Sequence, residues 1–422
     1  MDQGNTTFIL VAAALVLLMT PGLAFFYGGL VKAKSVISMM MLSFGAIGLI
    51  GVLWVLYGYA IAFANNVGID GVIGIDTGAI GLMSLLEVPE GAAFPPLAFA
   101  AFQATFAIIT VALISGAIAD RAKFGAWMVF AGIWATVVYF PVASWVFNFT
   151  LDPETLAFTD GGWITYGMQQ TFGVGAIDFA GGTAVHINAG AAALALALVL
   201  GKRIGFAKGA HVPHNPPFVL LGAGLLWFGW FGFNAGSELA ADGVAALAFI
   251  NTIAAPAAAL LAWLVVEKIK DGKPTSVGAA SGAVSGLVAI TPACASLTPV
   301  WAIVLGIVAG AVCALAVDLK FRLGFDDSLD VVGIHLVGGL VGTLYLGFFA
   351  NGTGLIYSGE LTQLMVQAIA AFAVMIYSFT LAFIIGLAIE KTMGFRVTEE
   401  DELAGIDPIV HGEEGYVLEA TR

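Results

Sequence analysis

Nearly all of the basic residues in this chain fall into short clusters, and the stretches between them are long and apolar. The clusters are Lys32 and Lys34, then Arg121 and Lys123, then Lys202, Arg203 and Lys208. Next come Lys268, Lys270 and Lys273, then Lys320 and Arg322, then Lys391 and Arg396, with Arg422 at the end. The intervals 35–120, 124–201, 209–267, 274–319 and 323–390 hold no Lys or Arg at all. Hydrophobic residues make up 60% of the chain and charged residues 10%, against about a quarter charged in soluble domains. So few charges cannot cover a surface facing water, which excludes a soluble enzyme. The apolar content likewise excludes a disordered or collagen-like chain. The sequence reads as an all-α polytopic membrane protein. Its apolar runs are continuous rather than alternating, which excludes a β-barrel.

The positive-inside rule puts the basic clusters in the cytoplasm. The stretch 1–31 has room for one span of about 20 residues, and each of the five intervals without Lys or Arg has room for an outward and return pair. The expected topology is therefore eleven transmembrane helices, with the N-terminus outside and the C-terminus cytoplasmic. The expected spans are 8–31, 36–63, 97–119, 124–146, 178–200, 217–236, 244–267, 277–295, 300–318, 331–350 and 362–389. The start MDQGNTT lacks the basic residues of a cleavable signal, so the first run reads as a retained span. Gly is abundant. Small-residue spacings at Gly278, Gly282 and Gly286, at Gly306 and Gly310, and at Gly338 and Gly342 mark faces for close helix packing.

Charge and cysteine content narrow the partners. The net charge of −13 argues against nucleic acid. Cys294 and Cys313 lie in apolar stretches, unlike a disulfide framework or a Cys-rich metal site. The outer segments carry Asp2, Asp70, Asp76, Glu87, Glu90, Asp152, Glu154, Asp160, Glu238, Asp242 and Glu360, and no Lys or Arg. Such a face would concentrate a cationic substrate, although positive-inside sorting leaves acids outside by default. Residues 398–422 form an acidic tail whose Leu403, Ile406, Ile409, Val410, Tyr416 and Leu418 suggest that it docks on something.

Ionisable groups inside the hydrocarbon are costly and mark function. The span interiors hold essentially no Asp, Glu, Lys or Arg, but they hold His186 in the fifth span and His335 in the tenth; His211, His214 and His411 fall in cytoplasmic segments. The two spans are equivalent if the chain is two five-helix halves plus one helix, and an odd number of spans per half inverts the second half. Asp178 opens one segment and Asp330 the other. At 1.5 Å per residue the rings lie roughly 12 Å and 7.5 Å from those ends, so they can meet near the bilayer centre. Burial disfavours a charged imidazole, so neutral rings are expected. Each neutral ring carries one donor and one acceptor nitrogen. A facing pair thus makes a polar strip suited to a small neutral molecule such as ammonia. A metal ion fits poorly, since no carboxylate or thiol lies nearby in either span.

Aromatic residues gather near the outer ends of two spans, in Phe102-Gln103-Ala104-Thr105-Phe106 and in Trp227 to Ser237. Aromatic faces attract cations with about 0.5–2 kcal/mol each. Such a cup would hold ammonium weakly, with a dry constriction of Phe rings beneath it. An interfacial aromatic belt has the same composition, so composition alone leaves both readings open.

At these residues the chain resembles the ammonium transporter (Amt/Mep/Rh) family, on its bacterial Amt side. The resemblance runs through PGLAFFYGGLV (21–31), FQATFAIITVALISGAIADR (102–121), DFAGGTAVHIN (178–188), GWFGFNAGS (229–237) and NT (251–252). It continues through GKPTSVGAASGAVSGLVAITPAC (272–294), DVVGIH (330–335) and DELAGIDPIVHGEEGY (401–416).

The resemblance implies two inverted five-helix repeats, about 1–203 and 209–350, followed by span eleven at about 362–389. Together 1–397 would form the transmembrane domain and 398–422 a cytoplasmic regulatory tail. It implies a homotrimer in the lipid of the cell membrane, with one pore per subunit and no cofactor. His186 and His335 match the pore histidines, and Phe106 and Phe233 match the gate. Ser237 and Phe102 match the ammonium recruitment site, with Trp230 below it, Asp178 at the outer end of span five and Thr291 near the gate. The tail matches a segment that supports regulation by PII-type signalling proteins. One departure stands out. Bacterial relatives usually carry Trp in the recruitment cup at the end of span four. Here Phe147 takes that alignment, Trp145 lies two residues earlier, and a long insertion (148–171) follows.

The function so implied is transport of ammonium or methylammonium, not enzyme catalysis. The rival readings are a Rh-like channel for ammonia or carbon dioxide, an ammonium sensor, and a membrane metalloenzyme built on the two histidines. The topology predicts that a C-terminal alkaline phosphatase fusion is inactive and a C-terminal green fluorescent protein fusion fluoresces; the opposite pair of results overturns it.

Overall fold

The computed structural model describes residues 1–63, 67–69, 71–151, 158–206 and 212–416. Asp70, Asp152, Glu154, Lys208, His211, Leu418, Glu419 and Arg422 fall outside the described residues. The apolar helices are α1 (Gln3–Leu30), α2 (Ala33–Ala62), α3 (Pro96–Ile118), α4 (Phe124–Phe147), α5 (Gly182–Leu200) and α6 (Pro216–Gly236). They continue with α7 (Gly243–Lys270), α8 (Ser276–Ile290), α9 (Pro299–Leu323), α10 (Val332–Phe349) and α11 (Thr362–Thr392).

Among the described residues, ten of these helices are long and apolar enough to cross a membrane. The exception is α8, where a span was expected at 277–295. With 15 residues it reaches about 22 Å, short of the ~30 Å hydrocarbon layer. Pro292 offers no N–H to extend the helix, and the chain continues as turns. Those turns are held from the side: the Asn251 amide donates to Cys294 O at 2.8 Å and to Leu297 O at 2.9 Å. Most of α8 is buried by its neighbours rather than facing outward.

Helix α1 packs along α6, and α7 packs on both α8 and α9. Of the small residues singled out by spacing, Gly278, Gly282, Gly286, Gly306 and Gly310 lie against α7, whereas Gly338 and Gly342 of α10 face α8 and α9. A Cβ on Gly306 would come within 2.1 Å of Ala255 O, and one on Gly310 within 2.2 Å of Ala259 O. On α8, a Cβ on Gly286 would meet the Pro256 Cα at 2.5 Å. Two faces of α7 are therefore approached at backbone distance, as expected where helices associate in lipid by close packing. Large apolar side chains such as Leu261, Val265, Ile307 and Ile384 point outward. Two short hairpins interrupt the helices, one at Val67–Ile69 and Ile73–Ile75, the other at Phe149–Leu151 and Phe158–Gly161.

At the other end of the bundle, several of the basic residues that mark topology also tie the helices together. Arg203 grips Asp326 through Nε at 2.9 Å and Nη2 at 3.0 Å, and reaches Asp120 at 3.2 Å. Burial acts to raise the Asp326 carboxyl, but Arg203 outweighs it and holds the group below the usual carboxylate range. Arg121 donates to Ala117 O at 3.0 Å and Asp326 O at 2.7 Å.

The tail docks on this same end. Asp407 accepts from the Ile37 and Ser38 amides at 2.9 and 2.7 Å, capping the start of α2. Glu402 accepts from Ile204 N at 2.7 Å, and Tyr416 bonds His214 at 2.8 Å. Of the tail's apolar residues, Ile406 is buried, whereas Leu403 and Ile409 stay exposed.

We expect Gly306→Val to lower the yield of folded protein sharply, since overpacking here must displace backbone, at about 3 kcal/mol or more. Asp326→Ala leaves the half-buried Arg203 with Asp120 alone and should cost about 3 kcal/mol. Fluorescence-detected gel filtration after a thermal ramp reads both.

Candidate functional site

The site begins with two backbone devices. Asp178 lies in the turn ahead of α5. Its carboxylate accepts N–H bonds from Gly181 at 2.9 Å, Thr183 at 2.8 Å and Ala184 at 3.1 Å, together with those of Gly182 and the Thr183 hydroxyl. It thus satisfies the orphan donors of a helix start and sits at the positive end of the helix dipole. Gly181 turns the chain there at φ +116°, a conformation open to glycine. At α10 the same device recurs. Asp327 accepts from Val331 N at 3.1 Å and Val332 N at 2.7 Å, and the residue three positions on, Asp330, has φ +63°. The capping partner of Asp178 is therefore Asp327, and not Asp330, which opens its segment in the sequence reading. Asp330 instead binds Lys320 Nζ at 2.6 Å. The histidine follows its cap at the same interval in both segments, Asp178 to His186 and Asp327 to His335. Burial pushes the Asp327 carboxyl up to about 6, with Lys320 pulling the other way.

Both histidines sit in wide π-type turns, Gly182–Ile187 and Val332–Leu336. Such turns disturb the regular helix and re-aim side chains. The rings face each other, with the two Nδ1 atoms 3.2 Å apart and the centroids 5.3 Å apart. One Nδ1 must donate and the other accept. His186 Nε2 is buried without a hydrogen-bond partner, and the rings border a narrow cavity of about 10 Å³ that is otherwise apolar, with Leu113, Val185, Leu226 and Val284 among its walls. Trp230 stacks on His186 at 5.5 Å, and its indole N–H is fixed by Thr291 Oγ1 at 2.8 Å.

Phe233 lies against this cavity and stacks on Phe106, with centroids 4.1 Å apart and planes within 13°. Beyond the pair opens a cavity of about 400 Å³. Phe102, Phe147, Asp178 and Ser237 are in its wall. The Ser237 hydroxyl donates to Phe233 O at 2.8 Å, which leaves its lone pairs free to accept. Phe147 meets Phe106 edge-on at 6.1 Å. Trp145 lies elsewhere: its ring packs on Tyr377 at 4.7 Å and Trp163 at 5.6 Å, and its N–H goes to Val72 O. The sequence reading missed Phe149 and Phe158, which the hairpin in the 148–171 insertion brings to the cavity wall, and Phe179. No spacing rule could bring the inserted residues there. It also left the pair Asn251 and Thr252 without a role. Thr252 receives the Trp227 indole N–H on its carbonyl at 2.9 Å and the Asn234 amide on its hydroxyl at 3.0 Å, anchoring α6 beneath the cavity.

A family model described as Ammonium Transporter Family matches residues 7–416. The chain belongs to the ammonium transporter family. Among family members, an ammonium transporter of Mycobacterium tuberculosis (strain ATCC 25618 / H37Rv) is 54% identical over 98% of this chain and 90% of its own. One from Bacillus subtilis (strain 168) is 44% identical over 99% of each chain. Among solved structures, a sensor Amt protein superposes with a TM-score of 0.87 at 28% identity, over 97% of this chain and 98% of that one. Saccharomyces cerevisiae Mep2 gives 0.84 at 34% identity, over 95% and 88%. This member of the family is a multi-pass transporter of the cell membrane. Its relatives carry the names of transporters rather than enzymes. Among the described residues no group of three His, Cys, Asp or Glu is placed to hold a metal ion.

In this transporter Asp178→Ala leaves several buried N–H groups without a partner. We expect a loss of about 3 kcal/mol or more in stability, read as a lower unfolding temperature, with partial recovery in Asp178→Asn.

Proposed function

We propose that the chain moves ammonium by stripping its proton and conducting ammonia past His186 and His335. The observation that carries this reading is the 3.2 Å contact between the two imidazole nitrogens beside a narrow apolar cavity. Moving a bare cation through such a space costs tens of kcal/mol by Born solvation, whereas a neutral molecule avoids that penalty. Ammonium is recruited from outside between Phe102, Phe147 and Ser237, where ring faces replace part of its water. Trp230, held by Thr291, and the Phe106–Phe233 stack close the way beneath it. The ion gives up its proton at or below that stack. Ammonia then passes the imidazoles, exchanging hydrogen bonds with the ring nitrogens, and takes up a proton on the inside.

The same reading covers the architecture. Ten spans form two inverted five-helix halves, about 1–203 and 209–350, and span eleven follows, with the N-terminus outside and the C-terminus in the cytoplasm. Three subunits assemble, each with its own pore. The tail, 398–422, takes part in regulation by a PII-type protein. Its support is the docking of Asp407, Glu402 and Tyr416 on the helix ends, which gives a partner something to displace.

The test is uptake of methylammonium and ammonium-dependent current in proteoliposomes, with His186→Ala and His335→Ala. Each variant is expected to lose at least about tenfold in uptake, since one ring alone cannot keep the shared hydrogen bond. Current per ammonia moved reads whether the proton follows. Unchanged uptake and current in both variants would remove the pair from the mechanism.

A further inference from the structure

The outer cavity holds two polar groups that the gate and the histidines do not use. Gln103, directly after Phe102 on α3, lines the cavity and is only 6% exposed, and its Oε1 accepts no hydrogen bond. A buried acceptor left unpaired costs about 1–3 kcal/mol, so a donor entering the cavity recovers that loss. Glu238, directly after Ser237, lines the same cavity. Its turn is held by Glu238 N to Ala235 O at 3.2 Å and by Leu239 N to Gly236 O at 3.0 Å, with Leu239 at φ +59°. Non-glycine residues rarely adopt that conformation.

The ionisable groups facing Glu238 are acidic. Asp242 is near enough to act on its carboxyl and caps α7 through the Val244 and Ala245 amides at 2.9 and 3.0 Å. Asp178 lies in the wall of the same cavity, and the Cys294 thiol is within electrostatic reach of both Asp178 and Glu238. Among the described residues, none that lines the cavity is basic. Burial, then the neighbouring Asp242, raise the Glu238 carboxyl to about 7. Below that pH the group is neutral, and above it the group is ionised.

Ring faces attract a cation but cannot accept its N–H bonds strongly. A carboxylate and an amide oxygen can, and charge-assisted bonds are the stronger kind. We infer that Glu238 and Gln103 Oε1 are further ligands for the cation in the outer cavity, and that protonation of Glu238 switches the site to weaker binding. The inference rests on the proposed transport of ammonium and adds a pH-dependent recruitment step to it.

The test is the KM for methylammonium uptake by the full chain in proteoliposomes, measured from about pH 6 to pH 8, where this substrate stays protonated. The wild-type KM should fall about fivefold as the pH rises, the upper scale of one solvent-exposed carboxylate–cation pair. Glu238→Gln should hold KM flat at the value the wild type shows at the acid end. Asp242→Asn still caps α7 and should move the fall in KM to lower pH by removing the charge beside Glu238. A flat wild-type profile, or a Glu238→Gln profile that follows the wild type, overturns the inference and leaves transport standing. A chain that moves no methylammonium at any pH overturns the transport reading and this inference with it.

Discussion

Hydrocarbon tolerates almost no charge, and that intolerance shapes this molecule from its helices to its pore. A helix satisfies its own backbone within the membrane, but a helix that begins inside the protein leaves its first N–H groups without partners. Two of the segments that matter most begin in this way. Asp178 and Asp327 each fold a carboxylate back onto the amides of a helix start, so each acid is matched by backbone donors. The caps hold the wide turns that bring His186 and His335 face to face. The histidine pair therefore depends on two acids that lie outside the long spans, at the mouths of the helices carrying the rings.

Close packing does the rest of the positioning. In lipid no hydrophobic force draws helices together, so contact must come from surfaces that approach at backbone distance. Gly306 and Gly310 meet Ala255 and Ala259 in this manner. With α7 held on both sides, Asn251 and Thr252 sit where they can carry the turns after α8 and the aromatic end of α6. Thr291 and Trp230 then meet across that junction and set the ring that leans on His186. A polar chain of contacts thus runs from a packing face to the cavity beside His186, and each link answers a donor that would otherwise be buried without a partner.

Much of this was legible in the sequence, for identifiable reasons. The helical class followed from uninterrupted apolar runs between basic clusters. The histidines stood out because essentially nothing else ionisable lay inside the spans. Phe106 and Phe233 and the residues Ser237, Phe102, Trp230 and Thr291 came from motifs spread over the chain, and their geometry is a stack, a wall and a hydrogen bond. Other features were out of reach. The length of α8 depends on Pro292 and on neighbours that bury it, which no hydropathy window records. Asp330 looked like the partner of Asp178 because it begins a matching string of letters, yet Asp327 makes the cap. Phe149 and Phe158 join the outer cavity through a hairpin in an insertion.

The sequence by itself determined which groups enter the membrane, because the free-energy cost of a charge in hydrocarbon is large, local and additive along the chain. It could not determine which nitrogen faces which, which acid caps which helix, or whether Phe147 or Trp145 borders the outer cavity. Those outcomes turn on distances of a few ångströms between segments far apart in the chain. Close packing and the pairing of buried polar groups set such distances only once all the helices are in place together.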